Sequence, residues 1–514
     1  MPEWWRERVI YQIYPRSFKD SNGDGVGDLV GITQKLDYLK DLGIGAIWIS
    51  PFFKSPQADC GYDVSDYRAV DPMFGSDQDF ETLLARAHEL DIKVIIDLVL
   101  NHTSCEHPWF QEARKSKENP KHDWYIWHDG QKPPQKCTCG EELNNKNDQA
   151  WHYNEETNEC YLGIFRKEQP EVNWANRELQ IEMFNIMKFW LDKSVDGFRL
   201  EIMHHHNYVY EEDHILQQKY DKNQLDVLKI CKEMRQLIDS YPGERVLLGE
   251  VFEENPEITA QFQGNNDRLH VAFNFNFMYS SCNMQAYKNS AQAHYKILEQ
   301  LSPEGFNQPN FTLGNHDQPR HASRFKESNE EEQVKKMKVL AAMLLTLKGT
   351  PTLYYGEEIG MQNVDIPKNQ RVDPLAFSFF PVNQYYRDKQ RTPMQWTASG
   401  GFSTVNSWLP MGDLSINVQD QLQNANSLLQ FYKKLIMIRN NSILKSAPIS
   451  FNQQNEDVLH FERAENGQKI TVLLNFGKNY KIFGLNGTVL VAENAVKGKN
   501  CVELLKYGIL IVKQ

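Results

Sequence analysis

Four short runs of this chain climb through apolar residues and then stop on a carboxylate or a histidine, and that recurrence restricts the fold more than any other feature. They span residues 93–102, 194–201, 245–250 and 310–317, and they carry Asp97 and His102, Glu201, Glu250, and the triplet Asn315, His316 and Asp317. In the second run Val195, Gly197, Arg199 and Glu201 alternate, so a strand brings one cation and one anion to the same side. An arginine beside a carboxylate keeps it ionised, and Arg199 is expected to do this for Glu201. Strands that all deliver reactive side chains from one end are what a (β/α)₈ barrel provides, because its strand ends share one face.

The remaining periodicities supply other parts of such a barrel. Residues 9–14 and 44–51 read as its first two strands, residues 270–277 alternate as a sixth, and residues 351–355 read as an eighth. Met183, Ile186, Met187, Trp190 and Leu191 recur at i, i+3, i+4, i+7 and i+8, the apolar face of a helix. Residues 80–88, 336–347 and 428–438 also read as helices. Between residues 103 and 170 the periodicity fails over a stretch too long for an idle loop. From about residue 447, short strands such as 458–461 and 470–474 predict a C-terminal β-sandwich.

Residues 97–102, 197–201, Glu250 and 315–317, in this order, resemble the four signature regions of the α-amylase superfamily of retaining α-glycosidases. Residues 169–174 and 391–396 narrow the resemblance to its α-glucosidase and oligo-1,6-glucosidase branch. The resemblance implies an α/β protein with a TIM barrel as domain A, residues 1–103 and 171–443. An inserted domain B would occupy residues 104–170 and a β-sandwich residues 444–514.

Cleaving a glycosidic bond with retention takes two carboxylates ~5–5.5 Å apart, one attacking the anomeric carbon and one protonating the leaving oxygen. By resemblance Glu201 is the nucleophile and Glu250 the acid/base, while Asp317 with His316 steadies the distorted sugar. Asp59 and Tyr62 line the pocket for the non-reducing ring, His102 reaches the sugar, and Asp97 is largely architectural. Arg391 is expected to pair with Asp59 and block the cleft beyond one sugar, which makes the enzyme exo-acting on short α-glucosides. The more apolar strand before Glu250 is expected to keep that residue protonated.

Several positions depart from the branch. Glu201 stands where the family has aspartate, and the extra methylene moves the carboxylate by roughly 1.5 Å, one bond length. A displacement of ~1 Å at a reacting centre costs ~10²-fold. Three readings stay open: a natural glutamate nucleophile in a compensated pocket, an aspartate exchanged for glutamate to slow turnover, or a barrel that has lost catalysis and binds or scaffolds, as transporter heavy chains of this superfamily do. Transfer or isomerisation through the same intermediate is the alternative among enzymes. Cys60 replaces Asn or Phe, and residues 142–151 differ from the branch on the aglycone side. Ile202, bulky and β-branched, leans towards α-1,6 or mixed linkage.

After the first strand, Asp20, Asn22, Asp24 and Asp28 form a ladder of oxygen side chains among glycines, like the first half of an EF-hand loop. The branch holds a structural Ca²⁺ or Mg²⁺ through the matching residues. A formal charge of −12 disfavours nucleic acid as a partner and suits a neutral, hydroxyl-rich substrate. The eight cysteines are scattered, which favours thiols over a disulfide framework. Cys137, Cys139 and Cys160 lack the usual zinc spacing, and consecutive His204, His205 and His206 cannot all face one ion on a regular element. No apolar run approaches the ~20 residues of a membrane span, and the first residues lack an apolar signal segment, so a cytoplasmic location is expected.

Overall fold

The computed structural model describes residues 3–129, 150–203, 224–253, 255–305, 307–378, 382–452, 455–499 and 501–514. Eight parallel strands follow one another along the chain: β1 (Ile10–Ile13), β2 (Ala46–Ile49), β3 (Lys93–Leu98), β4 (Gly197–Leu200), β5 (Val246–Gly249), β6 (Val271–Ala272), β7 (Asn310–Thr312) and β8 (Thr350–Tyr354). Each is hydrogen-bonded to its neighbour in sequence, and β1 also pairs with β8. The remaining seam, between β6 and β7, is closed by a parallel bridge from Phe273 to Asn310. The sheet is therefore a barrel.

Alternate residues of the same strands fall into two separate cores. Ile10, Ala46, Trp48, Ile95, Val246, Leu248 and Val271 fill the interior, whereas Tyr11, Ile47, Ile49, Val94, Ile96 and Leu247 belong to the layer outside. That outer layer is packed by helices such as Asp77–Glu89, Arg177–Asp192, Glu330–Thr346 and Leu428–Asn440. The predicted apolar face of the second helix, Met183, Ile186, Met187, Trp190 and Leu191, is buried, and Asn176 caps its first turn. Gly197 opens β4 because no other residue fits there: a Cβ would stand 2.3 Å from the Val246 carbonyl oxygen.

The sixth strand is much shorter than the predicted run 270–277. The Asn274 side chain accepts from the Phe277 amide and starts the helix Phe275–Tyr279, so local capping overrides the alternating pattern. The stretch after β3 is also more regular than its sequence suggests. It holds the helix Pro108–Ala113 and a three-stranded antiparallel sheet of Trp127–Asp129, Glu159–Leu162 and Trp151–Asn154. Trp151, Cys160, Leu162 and Ile164 give that sheet its own small core. Beyond the barrel, six strands between Ile449 and Lys513 form an antiparallel sheet. No helix among the described residues is long and apolar enough to cross a membrane.

Candidate active site

Arg199 stands in register with Asp97 of β3 on one side and Leu248 of β5 on the other. From there its guanidinium donates to Asp97 Oδ1 at 2.9 Å and to Glu250 Oε2 at 2.5 Å, and it lies 5.0 Å from the Trp48 ring centroid. Asp97 accepts further from Trp48 Nε1 at 3.1 Å and from the Tyr62 hydroxyl at 3.2 Å. Two buried carboxylates thus share one buried cation. The expected pairing of Arg199 with Glu201 is not formed, and the reason is geometric. The Arg199 guanidinium is taken by Asp97 and Glu250, while β4 ends at Leu200 and Ile202 turns into the left-handed region at φ 45° just after Glu201.

Glu201 is 5% exposed, and its Oε2 has no hydrogen-bond partner among the described residues. Burial, and then the neighbouring Glu250, push its carboxyl well above the ordinary range, against the pull of Arg199. Burial also raises Glu250, which Arg199 and the Ile202 amide, 3.3 Å from Oε2, act to lower. The expectation that an arginine serves the first carboxylate and an apolar setting the second is therefore reversed. Glu250 has Arg199 in direct contact, whereas among the described residues Glu201 forms no ion pair and feels Arg199 only at a distance.

His316 and Asp317 follow β7. The His316 Nδ1 faces Gln12 Nε2 at 2.8 Å, its Nε2 faces the Tyr62 hydroxyl at 2.6 Å, and its ring lies flat against the Tyr62 ring, 5.3 Å between centroids. Burial lowers its pKa to about 3, so the imidazole is neutral. Burial alone would raise Asp317, but the charge that His316 acquires in acid, together with Arg387 and Arg391, outweighs it and holds the carboxylate well below its usual range. Arg391 donates to Asp317 Oδ1 at 2.7 Å and to the His316 carbonyl at 2.9 Å.

The arginine that meets Asp59 is Arg387, at 2.6 Å, and not Arg391. Residues Arg387–Gln390 form a 3₁₀ turn, which sets the two arginines about one turn apart. Arg391 is fully buried beneath Asp317, and Arg387 bridges Asp59, Asp317 and Asp373. His102 is spent on protein partners: Asn101 Nδ2, the Tyr62 carbonyl at 2.9 Å and Gln169 Nε2 at 3.0 Å. It acts on the pocket through Gln169, which also donates to Asp59. Gln12, Trp48, Gln169 and Asp373 were not singled out from sequence. Gln169 lies in the 169–174 motif, but Gln12, Trp48, Asp373 and Arg387 reach the site only through contacts distant in sequence.

The Asp20–Asp28 ladder does curl as its spacing predicts. Asp20, Asn22 and Asp24 each accept from the amide two residues on, at 3.0, 2.9 and 2.8 Å. The donor set is hard oxygen, suited to Ca²⁺ or Mg²⁺. Asp28, however, uses both oxygens on Ser21 and also caps the helix Leu29–Gln34 through Gly31. Among the described residues no three carboxylate, histidine or cysteine side chains converge on one point. Cys137, Cys139, His204, His205, His206 and most of the aglycone segment 142–151 lie outside the described residues.

Residues 12–447 match the profile of the alpha amylase catalytic domain. The chain is 37% identical over 528 residues to an oligo-1,6-glucosidase of Parageobacillus thermoglucosidasius, covering 94% of this chain and 92% of that protein. The crystal structure of an alpha-glucosyl transfer enzyme, XgtA, matches with a TM-score of 0.88 at 34% identity over all of both chains. An isomaltulose synthase from Erwinia rhapontici, solved with sucrose, matches with a TM-score of 0.88 at 29% identity, over 100% of this chain and 99% of that one. With its barrel, its two adjacent buried glutamates and this extent of similarity, the chain belongs to the alpha-amylase family of glycoside hydrolases.

Proposed function

We propose that this enzyme is a retaining α-glucosidase that removes single glucose units from short α-glucosides. The observation that carries the reading is the closed wall of Asp59, Arg387 and Asp317 beside the Glu201 and Glu250 pair. Glu201, once ionised, attacks the anomeric carbon. The glycosidic bond breaks as Glu250 gives its proton to the leaving oxygen. The Glu250 carboxylate left behind is the one that Arg199 and the Ile202 amide receive, so the cation stabilises the charge that develops on the acid. Glu250 then takes a proton from water, the water oxygen bonds to the anomeric carbon, and Glu201 leaves. Among the described residues no donor reaches Glu201 Oε2, which suits a nucleophile, since an unsolvated carboxylate with a raised pKa is the stronger base.

Transfer to a sugar in place of water is the second reading, and the likeness to XgtA and to the isomaltulose synthase supports it. Incubation with maltose, isomaltose, sucrose and trehalose separates the two. Glucose and free leaving sugar from the disaccharides, with starch a poor substrate, is the expected outcome. A rearranged disaccharide from sucrose favours transfer. Efficient internal cleavage of long chains removes the basis for the exo assignment.

The proposal extends to a structural Ca²⁺ or Mg²⁺ held by Asp20, Asn22, Asp24 and Asp28. The repeated oxygen, each closing a turn on the amide two residues on, supports it, and binding requires Asp28 to give up its bonds to Ser21. EDTA is expected to lower the melting temperature by several degrees while activity at low temperature persists. Unchanged melting and no ion in metal analysis leave the loop a self-capped turn.

A further inference from the structure

The arginine that closes the pocket is itself held from behind. Asp373 is fully buried in the long loop after β8 and takes the Arg387 guanidinium at 2.8 Å from Nη2 and 3.2 Å from Nε. Its second oxygen accepts the Arg387 backbone amide. The tie is returned from the other side, because the Asp388 carboxylate accepts the amides of Val372, at 2.9 Å, and Asp373, at 3.0 Å. Two neighbouring pairs, 372–373 and 387–388, are thereby latched to each other. Arg387 Nη2 is shared between Asp373 and Asp59, and Nη1 is left for Asp317.

We propose that Asp373 is the specificity-determining positioning residue of this site: it fixes Arg387 across the non-reducing end of the pocket and so limits the donor to one sugar ring. The inference rests on the exo reading above and assigns that property to a residue of the loop, which touches no substrate itself. The geometry explains why a second anchor is needed. A guanidinium on four rotatable bonds, held only by the exposed side of the pocket, retains enough side-chain freedom to swing away, whereas a buried bidentate partner leaves it one pose. Without Asp373, Arg387 keeps Asp59 and Asp317 but loses its orientation, and room opens for a second sugar beyond the first.

An aryl α-maltoside reads this directly. An enzyme with a closed pocket removes glucose first and leaves aryl glucoside, whereas a pocket that admits two rings releases maltose and the phenol in one step. Asp373→Asn and Asp373→Glu are each expected to raise the initial ratio of maltose to glucose at least tenfold, with KM for maltose rising more than kcat falls. Arg387→Ala opens the pocket outright and sets the upper value. Asp196→Asn serves as the structural control. It removes the charge and one of the two acceptor oxygens that hold His88, Lys93 and the Val94 amide at the opposite end of β4, and so lowers stability without moving the product ratio. A ratio that rises in Arg387→Ala but stays at the wild-type value in both Asp373 variants overturns the proposal. If Arg387→Ala also leaves it unchanged, the exo reading itself fails. A rise in Asp196→Asn equal to that in the Asp373 variants makes the effect one of general loosening and likewise overturns the assignment.

Discussion

Shortening Glu201 to aspartate lowers kcat by about 10²-fold, and Glu201→Gln lowers it by at least about 10⁴-fold. The first loss comes from reach. The carboxyl sits beyond the end of β4 after the chain has left strand geometry, and one bond length is removed between it and the anomeric carbon. The second comes from chemistry, because an amide cannot form the glycosyl ester. The pH profile should move as well. Glu201 must lose its proton to attack, and burial with Glu250 alongside holds that proton to a pH well above the ordinary carboxylate range. Glu250 must keep its proton meanwhile, so only the singly protonated pair turns over: the two carboxylates titrate as a coupled pair, and activity climbs as the first proton leaves and falls as the second follows. Steady-state kinetics on an activated aryl α-glucoside measures all three. A gain of activity in Glu201→Asp shows that the pocket is built around the shorter residue.

Removing Arg199 is expected to be the most damaging single change to the fold and the chemistry together. Arg199→Met leaves Asp97 and Glu250 buried with no cation between them, a situation that costs about 3–5 kcal/mol. The Glu250 carboxylate formed on leaving-group departure also loses its stabilising partner, and kcat/KM on disaccharides should fall at least about 10³-fold. Chemical denaturation gives the first quantity and kinetics the second. The double variant Asp97→Asn with Arg199→Met recovers part of the stability, since it removes one of the stranded charges. A loss below about 1 kcal/mol in the single variant contradicts the picture of a shared buried cation.

The parts of the site legible in the sequence are those that strand geometry carries. Asp97, Glu250, His316 and Asp317 stand on or just after barrel strands, so runs of apolar residues ending in charge predict their convergence. Arg199 shows where that logic stops. Its own position was predictable from alternation, but its partners lie on the two flanking strands and follow from register, which one strand's sequence does not contain. The exchange of Arg391 for Arg387 as the partner of Asp59 is similar. Two arginines four residues apart are equivalent as letters, and only the 3₁₀ turn between them decides which faces the pocket. Residues 270–277 misled because alternation is a weaker constraint than an asparagine placed to cap a helix. The sheet after β3 was hidden because its strands are three or four residues long, too short for a periodicity to register.

The covalent mechanism with Glu201 and Glu250 is tested most directly by the anomer of the first product. Proton NMR during the opening minutes of hydrolysis of an aryl α-glucoside distinguishes the α-glucose released from the β-anomer that mutarotation forms later. Two displacements at the same carbon, the first by Glu201 and the second by water under Glu250, predict α-glucose as the first product. Initial appearance of β-glucose means a single displacement by water, and it contradicts a nucleophilic role for Glu201.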